Sequence, residues 1–199
     1  MSLMSKSPEI TTNAIVIGRA QAGDGSVRVF LYTEHGGLLS ALAKSGREER
    51  SKLRPHLQVG SFGSYSFVKG TQGWRVVGAV DTQNAYFDLH HSALAQRSVD
   101  QVLGIVRQLV RGEDRNEELF ESLWNFLHAT KTLDEELLKT AEHVAVLRMV
   151  AALGYASLDA NEVYSASTGY DLSVLESAKN QNRKIVRTIN DALAISGLS

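Results

Sequence analysis

A chain of 199 residues has room for one domain or two small ones, and 43% hydrophobic with 22% charged residues is the balance of a folded protein. It contains no cysteine, which excludes disulfides, thiolate zinc sites and cysteine nucleophiles together. The formal net charge of −1 excludes a chain that is basic throughout; no run approaches the roughly 18–20 apolar residues that span a bilayer, so the expected location is cytoplasmic, without a membrane partner.

Residues 1–12 carry no sustained periodicity and read as a flexible tail. A first apolar run follows, with Ile15, Val16 and Ile17. Gly23-Asp24-Gly25 supplies a hairpin turn. It lacks the Gly-x-Gly-x-x-Gly pattern and the strand-to-helix context of a nucleotide loop. Val27, Val29 and Leu31 then alternate with Arg28, Phe30 and Tyr32, the period-2 pattern of a strand. Gly36-Gly37 turns the chain into a third run over 38–43. The stretch 44–54 holds Lys44, Arg47, Arg50, Lys52 and Arg54 with Glu48 and Glu49 embedded, and reads as a loop or short helix. Strand alternation resumes over 58–69, turns at 70–73, and ends in a fifth run over 74–80. Five strands joined by glycine turns predict a small closed barrel; the spacing fits an OB-fold or an SH3-like barrel.

A crossover over 81–88 leads into helices. Leu94, Val99, Val102, Leu103, Val106, Leu109 and Val110 follow three- and four-residue spacing. Leu119, Phe120, Leu123, Trp124 and Leu127 form a second stripe. Thr132 is the expected N-cap of a third helix, which runs through Leu137, Val144 and Leu147 to a C-cap at Gly154. Residues 175–193 read as one final helix. The predicted organisation is α+β: tail 1–12, a five-stranded barrel over 13–81, and an all-helical domain over 82–199.

Charge divides along the same line. Residues 1–90 hold 10 Lys+Arg against 7 Asp+Glu, net +3, and residues 91–199 hold 11 against 15, net −4. The basic stretch can neutralise phosphates, giving salt-sensitive and largely sequence-independent affinity; a solvated loop is the alternative. Phe30 and Tyr32, sharing a face with Arg28, are candidate platforms for stacked bases, or else cover a join between barrel and helices. His90-His91 lacks a third ligand at metal spacing, and there is no Gly-x-Ser-x-Gly elbow. No catalytic residue, metal or cofactor is predicted.

Two segments carry a family resemblance. The first comprises Ala14-Ile15-Val16-Ile17-Gly18-Arg19, Asp24, Leu31-Tyr32-Thr33-Glu34-His35-Gly36, Leu42-Ala43-Lys44-Ser45-Gly46-Arg47, then Leu53 and Pro55. The second is Leu147-Arg148-Met149-Val150-Ala151-Ala152-Leu153-Gly154-Tyr155. In order and spacing these resemble RecO, the bacterial recombination mediators of DNA repair. Many RecO proteins carry a four-cysteine zinc lobe after that second segment; here residues 157–172 stand in its place without metal-binding spacing.

The resemblance implies an OB-fold barrel that binds single- and double-stranded DNA. It implies annealing of complementary strands and, with RecR, loading of the strand-exchange recombinase onto strands coated by single-stranded-DNA-binding protein (SSB). The expected DNA contacts are Arg19, Arg28, Lys44, Arg47, Arg50, Lys52 and Arg54, with Phe30 and Tyr32. The helical domain is expected to dock the acidic carboxy-terminal tail of SSB, through arginines drawn from Arg107, Arg111, Arg115 and Arg148, the last of which could equally satisfy a buried carbonyl or an acid on a neighbouring helix. A nucleoid-associated cytoplasmic location goes with this reading. The rival is an OB-barrel adaptor with protein as its main ligand, favoured by Glu48, Glu49 and the near-neutral total charge.

Overall fold

A computed structural model describes residues 8–23, 25–44, 51–90, 92–110, 112–158, 164 and 169–197. The chain divides into two compact units, Met1–Asn84 with Arg111–Arg115, and Ala85–Val110 with Asn116–Ser199.

The first unit is a closed barrel of five strands: β1 (Glu9–Gln21), β2 (Val27–Thr33), β3 (Gly37–Ala43), β4 (Ser61–Gly70) and β5 (Gly73–Asn84). Their order around the barrel is β1-β2-β3-β5-β4. All neighbours are antiparallel except β3 and β5, which meet in parallel through Ala41–Trp74 and Leu42–Arg75. That order, with its one parallel seam, is an OB-fold arrangement, as expected, rather than an up-and-down barrel. β1 starts at Glu9, so the last four residues of the expected tail are strand.

The alternation read from the sequence is what fills the barrel. Val27, Val29 and Leu31 of β2 point inward with Val16, Leu39, Ala41, Tyr65, Phe67 and Val76. A bulge interrupts β1: Val16 pairs with Leu31 and Gly18 with Phe30, leaving Ile17 as the extra residue. The Val16 carbonyl accepts from the Gly60 amide at 2.8 Å, so the chain between β3 and β4 is pinned beside the bulge. That chain ends in a 3₁₀ turn, Arg54–Leu57, whose Leu57 is fully buried in the barrel core. At the β2–β3 turn Gly37 has φ +60°, and an added Cβ would lie 2.3 Å from the carbonyl oxygen of Asp114. Only glycine satisfies both demands.

The second unit is helical: α1 (Ala85–Asp88), α2 (Ala93–Leu109), α3 (Glu117–Ala129), α4 (Glu135–Ala152), α5 (Leu172–Asn180) and α6 (Asn182–Ile195). α4 is its centre, with every residue from Val144 to Val150 buried. Side-chain caps start the long helices: Ser92 accepts from the Ala95 amide, Asn116 from Leu119 and Asp134 from Leu137. The cap of α4 is therefore Asp134, not Thr132, whose hydroxyl instead donates back to Ala129 at the end of α3. α4 stops at Gly154 (φ +79°). Gly154 donates to Ala151 and Tyr155 to Val150, the paired bonds of a Schellman stop. The expected final helix is two, broken at Gln181, although no glycine or proline marks the break.

Candidate nucleic-acid interface

Residues directly paired across a ladder point to the same face of a sheet. Following the pairs from β1 through β2, β3, β5 and β4 gives one outward row: Ala20, Arg28, Leu42, Arg75, Val68 and Glu9. Arg28 and Arg75 thus flank Leu42 on three adjacent strands. The next outward row includes Gly18, Phe30 and Ser40, and Arg28 Nη1 donates to Ser40 Oγ at 3.3 Å. Lys44 is exposed just beyond the end of β3. Between it and the β4–β5 turn lies a hollow of about 300 Å³, lined among others by Leu42, Lys44, Thr71, Gln72 and Arg75. Arg75 Nε is buried with no hydrogen-bond partner among the described residues. On that turn, Lys69 Nζ lies 5.4 Å above the Trp74 ring, a cation–π contact. Glu9 is the acid on this row, two strands from Arg75.

The face can do two things. Arg28, Lys44 and Arg75 can neutralise phosphates, and half-buried Phe30 offers a ring beside Arg28. Arg75 was not among the residues expected from sequence. Its signal was present: Trp74 and Val76 are barrel-facing, so Arg75 between them must face out. What sequence could not supply was the parallel seam that sets it beside Leu42.

Other expected contacts lie elsewhere. Arg19 pairs with Val29, on the barrel-facing parity, and its guanidinium donates to Gln58 Oε1. With Ala20, Gln21 and Val27 it lines a separate shallow hollow of about 340 Å³. Lys52 and Arg54 are exposed on the β3–β4 connection. Arg47 and Arg50 lie outside the described residues, as do Glu48 and Glu49. Tyr32 needs correction as a stacking platform. It does point out of the barrel, but it is 1% exposed, in a row with Ile15 and Phe62 that are equally buried. Burial pushes its hydroxyl pKa up to about 12.

Comparison with known proteins gives this face a context. The family profile described as "Recombination protein O N terminal" matches residues 4–84, a stretch that includes all five strands. Three curated proteins named "DNA repair protein RecO" align well beyond it. That of Acetivibrio thermocellus is 22% identical over 162 residues, 81% of this chain and 64% of the relative. That of Chlorobium phaeobacteroides is 28% identical over 159 residues, 73% and 56%. That of Dehalococcoides mccartyi is 23% identical over 176 residues, 83% and 69%. The barrel is thus similar to the N-terminal domain of recombination protein O, and most of the chain to these RecO proteins. The chain spans less than two thirds of the first two relatives.

Within the helical unit, the four arginines expected at an SSB-tail site divide. Arg148, in the RecO-like segment of α4, is 2% exposed. Its Nε donates to the Tyr164 carbonyl at 3.0 Å and its Nη2 to Gly169 at 3.3 Å. Its guanidinium stacks 4.7 Å from the centre of the Tyr170 ring. That arginine is spent on holding the segment after α4 and is not available to a docking peptide. Arg107 is exposed on α2 and Arg115 is exposed in the other compact unit; Arg111 lies outside the described residues. Among the described residues no three His, Asp or Glu side chains gather as a metal cluster, and no helix is long and apolar enough to cross a membrane.

Proposed function

We propose that this RecO-like protein is a recombination mediator in DNA repair that holds DNA on the outward face of its barrel. Single- and double-stranded DNA are its ligands. It anneals complementary strands and, with RecR, helps load the strand-exchange recombinase onto strands coated by SSB. It works by binding and charge neutralisation rather than by covalent chemistry, in the cytoplasm at the nucleoid.

The observation that carries the reading is the row in which Arg28, Leu42 and Arg75 are brought together from three strands, with Lys44 at its end. A charge cluster assembled across strands is a surface a phosphate backbone can follow, whereas Arg19 is turned to Gln58. For the SSB tail, the exposed candidates that remain are Arg107 and Arg115.

The test is fluorescence anisotropy of a labelled single strand at several salt concentrations, comparing the native chain with Arg28→Ala/Arg75→Ala. Removing two phosphate contacts should flatten the log–log salt slope by about 1.4. Native binding with an unchanged slope in the variant would place the DNA elsewhere. No native binding at low salt would favour the adaptor reading, which the formal net charge of −1 and Glu9 on the row support.

A further inference from the structure

Among the described residues, β3 and β5 meet through two pairs, Ala41–Trp74 and Leu42–Arg75. Beside that short seam, between Lys44 and the β4–β5 turn, is the hollow of about 300 Å³. The turn is a two-residue loop, Thr71-Gln72, between the paired Gly70 and Gly73. A space of this size is at the small end of ligand clefts, with room for a phosphate and its sugar rather than for a protein segment.

The chemistry of the hollow is one-sided. Its charged lining groups are Lys44 and Arg75, and no acid lines it. Neither cation has an ion-pair partner among the described residues. Glu9, the acid on the outward row, is two strands from Arg75. Lys69, the other cation of the hairpin, lies over the Trp74 ring and is not a lining group. Thr71 and Gln72 add a hydroxyl and an amide.

Arg75 is held by packing rather than by an acid. Its Nε is buried without a hydrogen-bond partner among the described residues, and a Cβ on Gly70 would lie 3.8 Å from it. The stem therefore rests against the glycine, which fixes the guanidinium before any ligand arrives. Two positive charges lining one small space repel each other, and an anion between them turns that repulsion into attraction. Charge selects the anion. A phosphodiester within a strand brings one negative charge, whereas a phosphomonoester at a strand end brings about 1.5 to 2 at pH 7. The second matches two uncompensated cations.

We propose that the hollow between Lys44 and the β4–β5 turn is a subsite for the terminal phosphate of a nucleic-acid strand, so that the barrel face distinguishes a phosphorylated end from the interior of the chain. This rests on the DNA-binding reading and adds a fixed point to it. Arg28 and Leu42 lie along the backbone, and the hollow seats the place where the backbone stops.

The experiment uses the full chain and oligothymidylates labelled on an internal base, identical except for a 5′-phosphate, a 3′-phosphate or hydroxyls at both ends. At low salt, anisotropy should show one of the phosphorylated strands bound about fivefold more tightly than the hydroxyl strand, the size of one added exposed ion pair. Lys44→Ala should bring that ratio close to one. Arg75→Lys should reduce it, because the point charge stays while the forked donors are lost. Lys44 is exposed, so its variant should keep the native urea midpoint. Equal affinities for all three strands overturn the subsite and leave the barrel reading standing. A ratio that Lys44→Ala leaves unchanged also overturns it, because the strand end then sits elsewhere. A native protein that binds no strand at low salt overturns both.

Discussion

Arg28 and Arg75 lie half-buried on the outside of the barrel, while Arg148 lies almost wholly inside the helical unit. The same side chain does opposite jobs. On the barrel, Arg28 donates a long bond to the Ser40 hydroxyl, and both it and Arg75 remain partly exposed on their strands. Arg148 has two carbonyls and a tyrosine ring around it, with its Nη1 buried and without a hydrogen-bond partner among the described residues. A guanidinium left in water keeps its charge for others; one taken out of water must be surrounded by acceptors, and its charge becomes part of the fold.

Arg148→Ala is the hardest test of this contrast. It should cost about 3 kcal/mol or more in urea unfolding, because it orphans two carbonyls and leaves a hole against Tyr170. Arg28→Ala/Arg75→Ala should cost under about 1 kcal/mol while weakening DNA binding. A barrel pair as damaging as the helical arginine would end the distinction. Gly37→Ala should cost more than about 2 kcal/mol, since the new methyl meets the Asp114 backbone at a left-handed φ. It shows that the barrel, too, has positions where structure leaves no freedom. Asp134→Ala should cost about 1 kcal/mol and Thr132→Ala about half that or less, measured by thermal unfolding; the reverse order would return the cap to Thr132.

The smallest effect concerns Tyr170, whose buried hydroxyl has no partner among the described residues and whose pKa burial raises to about 12. An unfolded tyrosine ionises near 10. The stability this group contributes is therefore complete below pH about 10 and is lost as pH rises toward 12. Tyr170→Phe should be neutral or slightly stabilising at pH 7 and should lose less stability above pH 10, read by urea titrations at each pH. An unaltered alkaline loss would assign it to the other tyrosines whose pKa burial raises, Tyr32, Tyr65 and Tyr86.

The strands, their turns and the inward faces of the barrel were legible because each follows from neighbours in sequence: Val27, Val29 and Leu31 declare one face by alternation, and glycines mark the turns. The closure was not legible. Leu42 and Arg75 meet across a parallel seam that no local pattern encodes, and the candidate face depends on that meeting. Tyr32 shows a second limit. Alternation put it outside the barrel correctly, but outside is not the same as exposed. Arg148, between Leu147 and Met149 in a run apolar on every side of the helix, was open to two readings, a docking arginine or one that satisfies a buried carbonyl, and it does the second. The break at Gln181 had no glycine or proline to announce it, and Asp134 and Thr132 were equally good caps on chemistry alone.

The bulge in β1 has a consequence for Arg28. With Ile17 counted as an ordinary ladder residue, the pairing that begins at Val16–Leu31 would continue as Ile17–Phe30, Gly18–Val29 and Arg19–Arg28. Two guanidinium groups would then stand directly opposite each other on adjacent strands, an arrangement that repels. The one-residue slip sends Arg19 to Gln58 instead, and gives Arg28 and Phe30 the neighbours Ala20 and Gly18. Neither neighbour rises above the strand. Along that flank the barrel therefore offers a low step, where the height of a methyl group or less separates the backbone from whatever lies against Phe30.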